Sequence, residues 1–290
     1  MYGMGKLKDK LFGIFEKKAQ NSEEYFEPHD ELRLRSEGLD REVRVSIFLP
    51  PSHSIHRKEP YRLLILNDGQ DHETLHLGAT LRKAYRKRRI GMTVVAAVHA
   101  GDRMREYGTI GRPDYQNRGD RANAYALFLT TQLLPYLREG YHAGHTPETT
   151  AIAGFSLGGL SAFDFAWHHP HLVHHVGVFS GSLWWRSKAF SAAAPDADRI
   201  VHTHVAESDH RPGMHFWFQC GTEDETADRN ANGIIDSIDD TLDLMHLLEK
   251  KGYRRGRNVE YVEVEGGQHN QETWGKVLPQ FLEWALDPAR

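Results

Sequence analysis

The sequence predicts an α/β protein with a mostly parallel central sheet and helices on both faces. Two observations carry this. Residues 63–66 and 94–98 read Leu-Leu-Ile-Leu and Val-Val-Ala-Ala-Val, short and solidly apolar as strands buried on both faces must be. From about residue 31, strand-like and helix-like segments alternate after an antiparallel start, the pattern of crossover connections. Composition agrees, because 39% of the 290 residues are hydrophobic and 26% charged, enough for a full core and outside the range of disordered chains.

The elements follow in order. Residues 1–24 place Leu7, Leu11, Ile14 and Phe15 on one helical face and predict an amphipathic helix docked on the body or on a partner. This stretch has lysines but no apolar central region, unlike a secretory leader, so a cytoplasmic location is expected. Residues 25–290 form the main domain. Strands are expected at 32–35, 43–48, 63–66, 94–98, 149–153, 176–179, 216–219 and 261–264. Helices are expected at 124–137, 157–167, 238–250, with Gly252 just past the end, and 274–285. Residues 186–212 make a long connection between two strands and read as an inserted lid or pocket wall.

Charge and cysteine usage exclude several classes. The formal net charge is −4, against nucleic-acid binding through phosphate contacts. The 19 histidines make surface charge pH-dependent below neutrality. The single cysteine, Cys220, excludes an internal disulfide framework and a cysteine-based zinc cluster, and reads as an inert small apolar residue. No apolar run approaches the roughly 18 residues of a membrane span. Oligomeric state is not encoded in any of these features.

Gly154-Phe155-Ser156-Leu157-Gly158 follows a strand-like run and opens an apolar helix, the context in which G-x-S-x-G carries a nucleophile. Ser156 must then occupy a tight strand-to-helix turn, where flanking glycines avoid clashes. The Leu157 N–H would face an oxyanion formed at the serine.

These residues, with Leu66-Asn67-Asp68-Gly69-Gln70-Asp71, the Gly101–Tyr107 stretch, Ser180-Gly181-Ser182-Leu183-Trp184-Trp185 and the terminal histidine segment, resemble the putative-esterase family of α/β-hydrolases near its enterochelin esterase-like branch. The resemblance spans about residues 43–284. It implies an α/β-hydrolase catalytic domain over 25–290 and a serine hydrolase acting on a small-molecule ester. It further implies the chain order nucleophile, acid, histidine. His269, in Gly266-Gly267-Gln268-His269-Asn270 after the last strand, is then the base. Asp224 is the chosen acid after the 216–219 strand, with Glu223 and Glu225 as rivals. By analogy with related hydrolases, Gln70 supplies a second oxyanion N–H.

Residues 228–239 fit a 12-residue calcium loop. Asp228, Asn230, Asn232, Asp236 and Asp239 fall at ligand positions, Ile234 offers a backbone carbonyl, and Gly233 takes the sharp turn. Such an ion would be structural, bracing the loop that bears the acid, and no cofactor is expected for the chemistry. The competing assignment is a polar turn capping the next helix. Trp184 and Trp185 follow a strand end and could wall a substrate pocket, or one could pack in the core. Arg103 and Arg105 read mainly as partners of acidic residues such as Glu106. His168, His169, His171, His174 and His175 read as decorating a helix end and loop, with a metal site as the lesser alternative. The predicted activity is ester hydrolysis through an acyl-enzyme. Acyl transfer to a hydroxyl and a calcium-stabilised, non-catalytic binding module are the alternatives.

Overall fold

The structure, a computed structural model, describes residues 28–287, so the helix expected over 1–24 lies outside the described residues. β1 (Asp30–Ser36) pairs antiparallel with β2 (Arg41–Phe48). β3 (Arg62–Asn67) pairs parallel with β4 (Thr93–Val98). β5 (Thr150–Phe155), β6 (His175–Phe179), β7 (His215–Glu223) and β8 (Val259–Gln268) continue the parallel ladder. The sheet order is β1-β2-β4-β3-β5-β6-β7-β8, with β2 antiparallel to β4.

The inner strands β3, β4, β5 and β6 are buried on both faces because their side chains split between two cores. Leu63 and Ile65 point into one cluster, and Leu64 and Leu66 into the other, as the period of two requires. On one face lie α1 (Leu77–Arg86) and α8 (Gln271–Ala285). On the other lie α3 (Ala122–Phe128), α4 (Leu134–Tyr141), α5 (Leu157–His168), α6 (Ile200–Glu207) and α7 (Asp236–Lys250). The single turn α2 (Arg103–Glu106) follows β4. Each fully buried Leu, Ile or Phe contributes about 1.5–3 kcal/mol, so these two layers carry most of the folding drive.

Several elements differ from the sequence expectation for definite reasons. The helix expected at 124–137 runs instead from α3 through a π turn at Leu129–Leu133 into α4. Pro135 has no N–H to give back to the preceding turn, and the Thr130 and Thr131 hydroxyls bond to the Ala126 and Leu127 carbonyls there. α1 was not expected at all, although Leu77, Leu81 and Ala84 are its buried stripe. The segment 186–212 contains α6 and is tied to the body. Buried Arg199 reaches Asp240 and Asp243 of α7, each at 2.6 Å.

Candidate active site

Ser156 stands between β5 and α5 with φ 53° and ψ −118°, a backbone conformation rarely adopted by an L-residue and one that stores strain. The turn is possible because Gly154 carries no side chain: a Cβ there would lie 2.2 Å from the Gly158 carbonyl oxygen. The Ser156 N–H donates to the Phe179 carbonyl at the end of β6 (2.8 Å), and the Ser182 N–H donates to the Ser156 carbonyl (3.0 Å). The Ser156 and Ser182 hydroxyls lie 3.2 Å apart. Leu157 opens α5, so its N–H has no acceptor within the helix.

The loop after β3 abuts this turn. Asn67 donates its amide to the Gly158 carbonyl (2.8 Å) and accepts from the Tyr125 hydroxyl (2.6 Å). Asp68, in the left-handed region at φ 59°, is clamped by the Arg103 fork at 2.8 and 3.0 Å. The same guanidinium donates to the Phe155 carbonyl (2.8 Å), directly before Ser156. Burial pushes the Asp68 carboxyl above its ordinary value against the pull of Arg103. The acid partner of Arg103 is thus Asp68. Glu106, offered as a partner by the sequence, pairs with Arg41 at 2.6 Å, and Arg105 pairs with Asp120. Gln70 sits in the 3₁₀ turn Gly69–Asp71, where early N–H groups lack helical acceptors. Its side chain is fixed by Asp68 and the Ala100 N–H.

Gly69 makes this approach possible. A Cβ there would fall 2.3 Å from the Ala97 carbonyl carbon, on rigid strand backbone. Gly69→Ala is expected to cost about 1–3 kcal/mol by overpacking, read in thermal denaturation. Native stability in that variant would refute the tight-approach assignment.

β7 and β8 bring Asp224 and His269 together. Glu223 pairs with Gln268 in the ladder, and Asp224 and His269 each follow that pair by one residue. Asp224 Oδ2 accepts the Gly221 N–H at 3.0 Å, while Oδ1 is buried without a hydrogen-bond partner. Burial raises the Asp224 carboxyl, opposed by the Gly221 N–H, the Ser180 hydroxyl and the His269 ring. His269 is solvent-accessible. Desolvation lowers its pKa below the usual histidine value, Asp224 works against this, and Arg103 adds to it. The imidazole thus feels both the acid and the guanidinium that grips the serine turn. Of the rivals, Glu223 faces Gln268 at 3.4 Å, and Glu225 accepts from the Ser237 N–H at the start of α7.

Three residues of this site escaped the sequence-based assignment. Trp274 sets its ring edge-on to His269, with centroids 5.2 Å apart, and stacks on Phe155 at 5.2 Å. Its Nε1–H donates to the Ser180 hydroxyl at 2.9 Å, and that hydroxyl lies against Asp224. Ser182 meets the nucleophile hydroxyl. Ser180 and Ser182 stood in a quoted motif, but without a function; a polar residue just past a buried strand was the available signal.

Trp185 is 0% exposed and packs against Gly108 and Gly119, so it belongs to the core and does not wall an open pocket. Trp184 is 38% exposed, and the Arg118 guanidinium sits over both rings at 5.2 and 4.9 Å. Cys220 is buried, which pushes its thiol up to about 12, consistent with an inert residue.

The 228–239 loop gathers part of the expected oxygen set. The Asn232 N–H donates to Asp228 Oδ1 and Asn230 Oδ1, and the Gly233 N–H donates to Asp228 Oδ2. The side-chain amides of Asn230 and Asn232 reach the two Asp239 oxygens at 2.9 and 3.4 Å. Gly233 takes φ 83° as the turn requires. Asp236 departs from the set, because its Oδ1 accepts from the Arg229 backbone and side chain. The donor types suit a hard cation, with four of the side chains in mutual reach and the Arg229 guanidinium against both Asp236 and Asp239, at 3.2 and 3.3 Å.

The fold agrees with known proteins. The Putative esterase family profile matches residues 36–285. The Bacillus subtilis protein YjcH is 24% identical over 222 residues, covering 76% of this chain and 84% of its own. A crystal structure of the enterobactin esterase from Shigella flexneri, in the presence of 2,3-dihydroxy-N-benzoyl-serine, superposes with TM-score 0.71 at 20% identity over 90% of this chain. This chain spans about 59% of that enzyme's length. A ferulic acid esterase superposes with TM-score 0.67 at 18% identity, covering 89% of this chain and 96% of its own.

Proposed function

Since the chain belongs to the Putative esterase family, we propose that this carboxylic ester hydrolase works through Ser156, His269 and Asp224. The observation that supports the assignment is the Glu223–Gln268 pairing, which Asp224 and His269 each follow by one residue, with one Asp224 oxygen buried and without a hydrogen-bond partner among the described residues. Asp224 accepts from His269 Nδ1–H and holds the tautomer whose Nε2 faces the serine. His269, with its lowered pKa, is neutral at pH 7 and able to accept a proton. It takes the Ser156 proton as the oxygen attacks the ester carbonyl. The tetrahedral oxyanion is held by the Leu157 and Gln70 N–H groups. His269 then protonates the leaving alcohol. Water attacks the acyl-enzyme by the same route in reverse. The Ser182 hydroxyl holds Ser156 in the resting enzyme, and the serine–histidine hydrogen bond forms as substrate binds.

The acyl group is proposed to be aromatic. Exposed Trp184 with the Arg118 cation over it offers a face for a flat ring near the ligand-binding edge of the sheet. The ferulic acid esterase of the same fold has an aromatic acid in its name, and the compound present with the enterobactin esterase carries an aromatic ring as an N-benzoyl amide. The direct test is a fluorophosphonate probe with mass mapping of the adduct. The expected result is one label on Ser156, blocked by prior incubation with an aryl ester. An active but unlabelled enzyme would overturn the assignment.

A calcium ion, which Asp228, Asn230, Asn232, Asp236, Asp239 and the Ile234 carbonyl would hold, is proposed as a brace for the loop that follows Asp224. It supplies no step of the chemistry. Calcium added to chelator-treated protein should raise the thermal midpoint. At 100 times the dissociation constant the stabilisation is about 2.7 kcal/mol. Asp228→Ala should abolish the shift, and a midpoint insensitive to calcium would remove the ion from the account.

A further inference from the structure

We infer that Asp164, His168 and His204 form a transition-metal site, best suited to Zn²⁺, that pins the inserted segment to the nucleophile helix. Asp164 and His168 stand one turn apart on α5, the helix that begins at Ser156, and His204 comes from α6 within the segment 186–212. One ligand atom from each of the three lies within 4.8 Å of the others. Asp164 Oδ2 also lies 3.4 Å from His168 Nδ1, so the carboxylate and this imidazole are already neighbours. The His168 and His204 rings lie 4.4 Å apart at 45°. Two imidazoles and a carboxylate, with water in the fourth place, are the ligand set of zinc and its neighbours rather than of calcium.

The surroundings fit a structural ion. Asp164 is only 2% exposed, and its Oδ2 also accepts the Ile110 N–H at 2.6 Å, so the carboxylate is already oriented as outer-shell partners orient metal ligands. His168 Nδ1 lies 2.9 Å from the Asp164 carbonyl oxygen. A proton there leaves Nε2 for the metal. Arg211, stacked over Trp167, and Glu207 act on His204 with opposite signs. A His–Asp pair alone explains His168 but not why a histidine from a separate helix arrives at the same point. Asp164 is eight residues beyond Ser156, about 12 Å along the helix axis, too far for the ion to act on the ester. Its effect is to hold α6 against α5.

The test uses the full chain, dialysed against chelator and titrated with Zn²⁺ by calorimetry, with Co²⁺ as an optical probe. One equivalent should bind and raise the thermal midpoint, and Co²⁺ should give tetrahedral d–d bands. His204→Ala and His168→Ala should each weaken binding on the order of 100-fold while aryl ester turnover stays unchanged. Asp228→Ala should leave zinc binding intact, separating the site from the calcium loop. X-ray absorption of the zinc-loaded native protein should count two imidazoles per ion, a readout independent of how the variants fold. No stoichiometric binding, one-equivalent binding untouched by His204→Ala, or any other imidazole count would overturn the inference.

Discussion

Ser156→Ala should lower kcat for a short-chain aryl ester by on the order of 10⁶-fold, about 8 kcal/mol of barrier. The loss is so large because the variant removes covalent catalysis itself, and His269 and Asp224 have no nucleophile left to serve. The fold should survive. Alanine has the same backbone need at φ 53° as serine, and no side-chain hydrogen bond from Ser156 other than the one to Ser182 is formed among the described residues. The residue of activity should come from the Leu157 and Gln70 N–H groups, which still bind an oxyanion. The check is a paired measurement of turnover and thermal midpoint, with the burst of released phenol absent. Hydrolysis persisting near the native rate in a folded variant would place the nucleophile elsewhere.

Asp224→Asn should reduce kcat by about 10⁴-fold with little change in KM. The amide favours the wrong imidazole tautomer and no longer stabilises the cation formed during attack. A second consequence fixes the direction of a pH effect. The Asp224 charge raises the His269 pKa, while burial and Arg103 lower it. Removing that charge therefore lowers the pKa further, and the acid limb of kcat/KM should move to lower pH. A limb that moves upward would show that another carboxylate governs His269. Glu223→Gln and Glu225→Gln should leave the limb in place, because those side chains face Gln268 and the start of α7.

Local chemistry was legible in the sequence where the requirement was itself local. Gly154, Ser156 and Gly158 are spaced for a single tight turn, and the turn's backbone has the conformation that spacing demands. That His269 directly follows the last strand was also legible. Trp274 was not, since its tie to Ser180 joins residues 94 apart in the chain and no periodicity marks it. Trp184 and Trp185 are adjacent and of one type, yet one is 38% exposed and the other buried. What separates them is the fold of residues 108–119 around the second ring, a tertiary fact. α1 hid because Arg82, Lys83 and Arg86 dilute a stripe of only three apolar residues. His168 was visible as one of a run of histidines, but its neighbours in space are Asp164 and His204, which only helix packing brings near.

The Glu223–Gln268 rung has an evolutionary and engineering corollary. Because carboxylate and imidazole each follow a paired residue by one step, just past the register shift between Gly221 and Glu223, flexing of the last two strands carries them together. The hydroxyl rides at the end of β5, two strands from β7 and three from β8. Length changes in the 254–257 turn, at the opposite end of β8, should therefore be tolerated. One residue added between Gln268 and His269 should silence the enzyme while leaving it folded.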